Sequence, residues 1–189
     1  MSEATPLRES ATKGMQQLAK LAYEQIGLDL RAGKEGLITS RLSKPMREHG
    51  VGSLEAYCSF VQNDVSGKAL TEMIDALTTN HTSFFRESKH FDFLKELAFP
   101  AWRQRREVHV WSAACSTGEE PYSLAMTALE HLGPAAESMK ILATDISTRV
   151  LATARKGLYR HESFPKPLVP WMGRYLLRRS EEHTSELQS

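Results

Sequence analysis

VHVWSAACSTGEEPYSLAMTALEHLG, residues 108–133, is the stretch whose reading decides the fold. Val108 to Ala114 is a short, β-rich apolar run suited to a buried strand, CSTG is a tight loop, and EEPYSLAMTALEHLG is a helix. Pro121 sits in the first turn of that helix, where a missing N–H costs nothing, and Leu124, Ala125, Ala128, Leu129 and Leu132 are expected to form its apolar face. The unit then repeats. MKILATD (139–145) is a second strand, Ser147 caps a helix with Val150, Leu151 and Ala154 inward, and Gly157 ends it. A βαβα unit with a right-handed parallel crossover is expected over 108–157, the first half of a doubly wound α/β sheet.

Upstream, the pattern is helical. A stretch from Lys89 to Ala98 is expected to end before Pro100. Met15, Leu18, Ala22 and Ile26 follow a helical stripe. Leu37, Leu42 and Met46 suggest a second helix ended by Gly50, with Pro45 expected to kink or stop it near Lys44. Ser53 caps a third, LEAYCSFVQ, and Ser66 opens a fourth, whose Leu70, Met73, Ile74 and Leu77 lie at i, i+3, i+4 and i+7. The fold class is therefore α + α/β: a small N-terminal helical bundle over 1–78, then a partial α/β domain over 79–178. The last eleven residues, RSEEHTSELQS (179–189), have almost no apolar content. They read as the translation of a sequencing-library adapter, a non-native tail that leaves the native protein ending near Arg178 in mid-domain.

Composition narrows the function. The 189 residues are 41% hydrophobic and 25% charged, and 24 Lys plus Arg against 23 Asp plus Glu argue against a generic polyanion binder, so no nucleic-acid partner is expected. Cys58 and Cys115 lack CxxC company, and the seven histidines form neither HxxxH nor HExxH, so neither a disulfide framework nor a metal is indicated. No stretch approaches the ~20 apolar residues that span a bilayer, and the N-terminus has no apolar leader core. The expectation is a cytoplasmic chain with no membrane insertion.

Ligands of such sheets bind beyond the carboxyl ends of the strands, at the loop after Ala114 and at the end of the second strand. Ser116, Thr117 and Gly118 form a small-residue loop at a helix N-terminus, but the chain lacks GxGxxG and GK[ST] there, so neither a dinucleotide nor an NTP cradle is indicated. Glu119 and Glu120 suit a ligand that presents amines or hydroxyls. Asp145 closes the second strand, where a carboxylate can accept hydrogen bonds from both ribose hydroxyls, or simply start a turn. A nucleoside without phosphates that carries a cationic tail fits this site, and S-adenosylmethionine has that chemistry.

Three segments, TTNHTSFFRES (78–88), VWSAACSTGEEPYSLA (110–125) and ATDISTRVLATARKGLY (143–159), resemble in order and spacing the signature segments of the CheR-type chemotaxis methyltransferases, which esterify glutamates on chemoreceptors. The resemblance covers residues 10–178. It implies a helical domain joined to the first half of a class I, Rossmann-like S-adenosylmethionine-dependent methyltransferase domain, which in the family is normally interrupted by a small β-subdomain that in some members grips a receptor tail peptide. It further implies cofactor contacts at Asn80, Thr82, Arg86, Glu120 and Asp145; a further Asn-bearing strand and a tyrosine would lie beyond position 178. Arg86 is the candidate catalytic residue, because two carboxylates meet in the reaction and a guanidinium can hold either one bidentately.

Read from the residues alone, Asn80 and Thr82 are equally helix caps, and Phe84 and Phe85 are core or junction packing. Arg41, Lys44 and Arg47 recur every third residue as a basic ridge. The resemblance turns this ridge toward the chemoreceptor cytoplasmic helices, with a solvated face as the alternative. Arg103, Arg105 and Arg106 take no role. The implied state is a monomer, and the 189-residue chain by itself is expected to be inactive and marginally folded. The rival readings are a non-catalytic receptor-binding or cofactor-sensing fragment, and a small-molecule or RNA methyltransferase on the same fold.

Overall fold

Apolar spacing, caps and one interior proline account for the helices that begin the chain. The computed structural model describes residues 4–30, 33–166 and 172–177, with side chains described from Lys13 onward. The 179–189 tail lies outside the described residues. These residues divide into two compact units between Thr79 and Asn80, with Ile146–Arg149 grouped with the first.

In the first unit, α1 (Ala4–Ile26), α2 (Glu35–Glu48), α3 (Leu54–Asn63) and α4 (Lys68–Leu77) enclose a core that includes Leu18, Ala22, Leu42, Tyr57 and Met73. α1 and α3 approach so closely that a Cβ on Gly14 would stand 2.9 Å from Leu54 Cβ. The Ser53 hydroxyl caps α3 by accepting the Ala56 N–H at 3.2 Å, as expected from sequence.

Three sequence expectations need correction in this unit. Ile38, not Leu37, is the buried residue of α2, and Leu37 is 51% exposed, because the helix phase turns it outward. Pro45 does not end α2 near Lys44, and the helix runs three residues further, to Glu48. So close to the C-terminus Pro45 forfeits only the one bond to the Arg41 carbonyl, and its ring is buried in the core. Gly50, at φ +66°, then ends the segment.

Ser66 is not the cap of α4. Gly67, at φ +71°, holds the N-cap position, and the Asp64 carboxylate accepts from Ala69 N–H at 2.7 Å and from Ser66 N–H at 2.9 Å. The Ser66 hydroxyl and these amides hold the Asp64 carboxyl below its ordinary pKa. A carboxyl whose pKa falls on folding stabilises the protein above its unfolded value and loses that contribution as pH falls through the folded one. The stability of this unit is therefore expected to fall less steeply below about pH 4 in Asp64→Asn than in the wild type; urea titrations at stepped pH measure this, and parallel curves would refute it.

The second unit opens with a continuous helical run: α5 (Ser88–Phe93), a π-helical turn (Leu94–Ala98) and α6 (Phe99–Trp102). The expected stop before Pro100 does not occur. The proline falls at the start of a fresh α segment, where no N–H is required, and the π turn supplies the change of hydrogen-bond register. Phe99 then packs with Ala128, Leu132 and Ala136.

β1 (Val108–Ser112) and β2 (Met139–Ala143) pair in parallel, from Val108 opposite Met139 to Ser112 opposite Ala143. α7 (Glu119–Leu132) and a short 3₁₀ segment form the crossover between them, and α8 (Thr148–Lys156) follows β2. The chain is thus an all-α bundle followed by a small parallel sheet with helices, a partial Rossmann-like fold.

The buried face of α7 is the predicted one only in part. Leu129 is exposed, Leu124 and Ala125 are half-buried, and Ser123, Met126 and Thr127 are buried beside Ala128 and Leu132. Ser123 and Thr127 bury their hydroxyls at little cost because each donates to the carbonyl four residues back, at 2.6 and 2.7 Å. On the outer sheet face the cross-strand pair Trp111 and Leu142 is 67% and 61% exposed.

Candidate functional site

The loop Cys115–Gly118 lies between the C-terminal end of β1 and the N-terminus of α7, and β2 ends beside it. The Cys115 N–H donates to Thr144 O at 3.0 Å, and the Thr144 N–H donates to Ser112 O at 3.0 Å, which extends the pairing beyond the strands. Asp145 follows at once, and its carboxylate accepts the Ser116 N–H at 2.8 Å. The Ser116 hydroxyl donates to Asn80 O at 3.0 Å, which brings the segment that starts the second unit to the same loop. Tyr159, beyond α8, donates its hydroxyl to Thr117 O at 2.6 Å. Residues separated by up to 79 positions thus converge on Ser116 and Thr117.

Gly118 adopts φ +102°, and a Cβ there would come within 2.5 Å of the Tyr159 hydroxyl and 3.0 Å of Ala154 Cβ. Among the described residues, Phe85, Glu87 and Ser116 are the non-glycine residues at positive φ, at +56°, +57° and +49°. All three lie in two of the three segments that carry the predicted cofactor contacts, and strain of this kind persists only where the surroundings over-determine it.

The FFR turn is fixed in three ways. The Phe85 N–H donates to Ser123 Oγ at 3.0 Å, the Arg86 N–H donates to Ser83 O, and Arg86 Nη1 donates to His81 O at 2.9 Å. Phe84 is buried against Met126 and Met172, stacks on Phe164 with centroids 4.4 Å apart, and meets Tyr159 edge-on. Phe85 is half-buried and leans on Phe91. Both are packing residues, in line with the sequence reading.

The acidic residues separate by environment. Glu119 is buried and accepts from Thr117 Oγ1 at 2.6 Å, where the positive end of α7 favours its charge. Glu120 is exposed and accepts from Ser112 Oγ at 2.7 Å. Burial first, and then the Asp145 carboxylate, push the Cys115 thiol up, so it stays protonated and is no nucleophile at neutral pH. Burial and the Glu119 charge likewise push the Tyr159 phenol up, so it remains a donor.

A cavity of about 560 Å³ adjoins Asp145 and runs between α7, β2 and α8, with Cys115, Tyr122, Thr144 and Arg155 in its wall and Ala125, Ile141 and Leu151 as apolar lining. An acceptor carboxylate just after β2, Asp145, beside a largely apolar cavity, with no phosphate cradle, fits a cationic, hydroxyl-bearing nucleoside. Among the described residues no group of His, Cys, Asp and Glu is placed to hold a metal, and no helix is long and apolar enough to cross a membrane.

Of the predicted residues, Asn80 and Asp145 meet through Ser116, Glu120 in the first turn of α7 reaches Ser112 at the end of β1, and Arg86 braces the segment that carries Asn80 and the half-buried Thr82. The basic ridge in the first unit divides. Arg41 turns inward and donates to Leu77 O at 2.8 Å and to Thr79 Oγ1 at 2.9 Å, closing the C-terminus of α4. Lys44 pairs with Glu48 at 3.8 Å, and Arg47 is exposed. Sequence reasoning named Ser116 only as part of the small-residue loop and gave Tyr159 no role. Both lie inside the recognised segments, but their partners are 36 and 42 residues away, and no local pattern reports that.

Residues 80–187 match the family described as CheR methyltransferase, SAM binding domain, and residues 13–78 match its all-alpha domain. The cofactor of the matched domain is S-adenosyl-L-methionine. A chemotaxis protein methyltransferase of Borreliella burgdorferi is 41% identical over 153 residues, covering 77% of this chain and 54% of the relative. One from Escherichia coli is 38% identical over 167 residues, covering 88% and 57%, and chemotaxis protein methyltransferase 2 of Pseudomonas aeruginosa is 40% identical over 163 residues, covering 86% and 58%. The chain therefore spans little more than half the length of these relatives.

Proposed function

The chain belongs to the CheR methyltransferase family, and from that premise we propose that it serves S-adenosylmethionine-dependent methylation of glutamate side chains on chemoreceptors, giving glutamate methyl esters and S-adenosylhomocysteine in bacterial chemotactic adaptation. The observation that carries this reading is the convergence of the three recognised segments on Ser116 and Thr117, which sets an acceptor carboxylate beside the loop that opens α7. When bound, the cofactor supplies a methyl group on a positively charged sulfur.

Asp145 would hold the ribose hydroxyls, Glu120 and the Asn80–Thr82 segment the remaining polar groups, and Arg86 a carboxylate. A glutamate carboxylate, with an ordinary pKa of about 4.3, is already ionised at neutral pH, so no side chain of this protein need remove a proton. The work left to the protein is to orient the carboxylate and to exclude water from it. Lys44 and Arg47 are the outward-facing members of the ridge proposed to meet acidic receptor helices, with the protein acting as a cytoplasmic monomer. Arg41 is committed to the end of α4.

A second reading is kept because the chain spans little more than half the length of the relatives it matches. It is a receptor-binding or cofactor-sensing role without methyl transfer.

With the protein carried to the length of its relatives, incubation with methyl-labelled S-adenosylmethionine and a receptor cytoplasmic fragment is expected to place label on glutamates, released as methanol by mild alkali. Receptor or cofactor binding without label selects the second reading. Base-stable label, or label on RNA alone, would overturn both.

A further inference from the structure

We propose that Ser116 is a positioning residue of the cofactor site: by its side chain and its backbone together it holds the Asn80 segment and the Asp145 carboxylate in one constellation. The proposal rests on the cofactor reading above and goes beyond it, since that reading assigns contacts and leaves open what sets their geometry. Ser116 is 7% exposed. Its two polar donors point to different parts of the chain, the hydroxyl to Asn80 O at 3.0 Å and the N–H to Asp145 Oδ2 at 2.8 Å, spanning 36 residues in one direction and 29 in the other.

The backbone conformation explains how one residue does both. At φ +49° Ser116 lies in the left-handed region, which an L-residue with a Cβ rarely adopts. Strain at a residue that makes two long-range hydrogen bonds is the pattern of a position fixed by its neighbours rather than by local preference. The next residue is held as well, since the Tyr159 hydroxyl binds Thr117 O, so the loop cannot relax by turning about Ser116 alone.

A glycine at this position would adopt φ +49° without strain, yet it would lack the hydroxyl. That separates positioning from stability. In Ser116→Gly the melting temperature is expected to match or exceed that of the wild type, while affinity for S-adenosylhomocysteine, measured by calorimetry on the whole chain, falls about three- to tenfold, the scale of one lost hydrogen bond. Deuterium uptake across residues 79–83 should quicken while that of β1 and β2 does not change. Ser116→Ala should show the same affinity loss while retaining the strain.

Wild-type affinity and uptake in Ser116→Gly, with affinity lost in Asp145→Ala, would overturn the positioning role and leave the cofactor reading standing. A wild-type chain that binds no S-adenosylhomocysteine, or an Asp145→Ala variant that binds as well as the wild type, would overturn the cofactor reading and this proposal with it.

Discussion

Gly118→Ala is expected to destabilise the α/β unit by about 2–4 kcal/mol, the sum of a left-handed backbone strain and a forced contact in a packed region. The position has two independent reasons to be glycine. Its φ of +102° is one that residues with a Cβ rarely adopt, and the Cβ would meet both the Tyr159 hydroxyl and the body of α8 at Ala154, whose Cα lies 3.1 Å away. Tyr159 cannot swing aside cheaply, because its hydroxyl is bound to Thr117 O and its ring packs on Phe84 and Tyr122. Gly36→Ala is the control. It lies inside α2 with nothing within 4 Å of its Cβ position, and there alanine should be neutral or stabilise by up to about 1 kcal/mol. Urea unfolding of the two variants measures the contrast, and equal midpoints would refute the argument.

Asp145→Ala is expected to weaken S-adenosylmethionine binding by about 1.5–3 kcal/mol, roughly 10- to 150-fold, the scale of hydrogen bonds to a charged group. The loss should exceed that for Asp145→Asn, which keeps an oxygen for the Ser116 N–H but gives up the charge that strengthens bonds from ribose hydroxyls. The comparison isolates the carboxylate, because alanine removes the loop tether and the ligand contact together while asparagine removes mainly the second. Calorimetry on folded variants is the measurement. Unchanged affinity in both would return Asp145 to the role of a residue that starts the turn after β2.

The sequence by itself determined the order of elements and the chemistry of the site. Period 3.6 in α4, the serine cap of α3 and the β-rich runs around Val110 and Ile141 are local signals, set by backbone geometry and by which side chains avoid water. The three recognised segments carried the family and its cofactor, and Asp145 stood at the end of the second strand by simple counting. What the tertiary structure decided were the matters settled by contacts between distant residues. It chose Ser123 and Thr127 over Leu129 as part of the buried face of α7, because a hydroxyl that bonds its own helix can be buried cheaply. It carried α2 past Pro45, where one missing hydrogen bond near the helix end costs less than the burial of the ring returns, and it carried the run from α5 to α6 past Pro100, which sits at the start of α6 where no N–H is required. It turned Arg41 from the outer ridge to the end of α4. Most of all it tied Asn80, Asp145 and Tyr159 to two adjacent residues of one loop. No local propensity encodes that junction, since it exists only once β1 and β2 have paired and brought their carboxyl ends side by side.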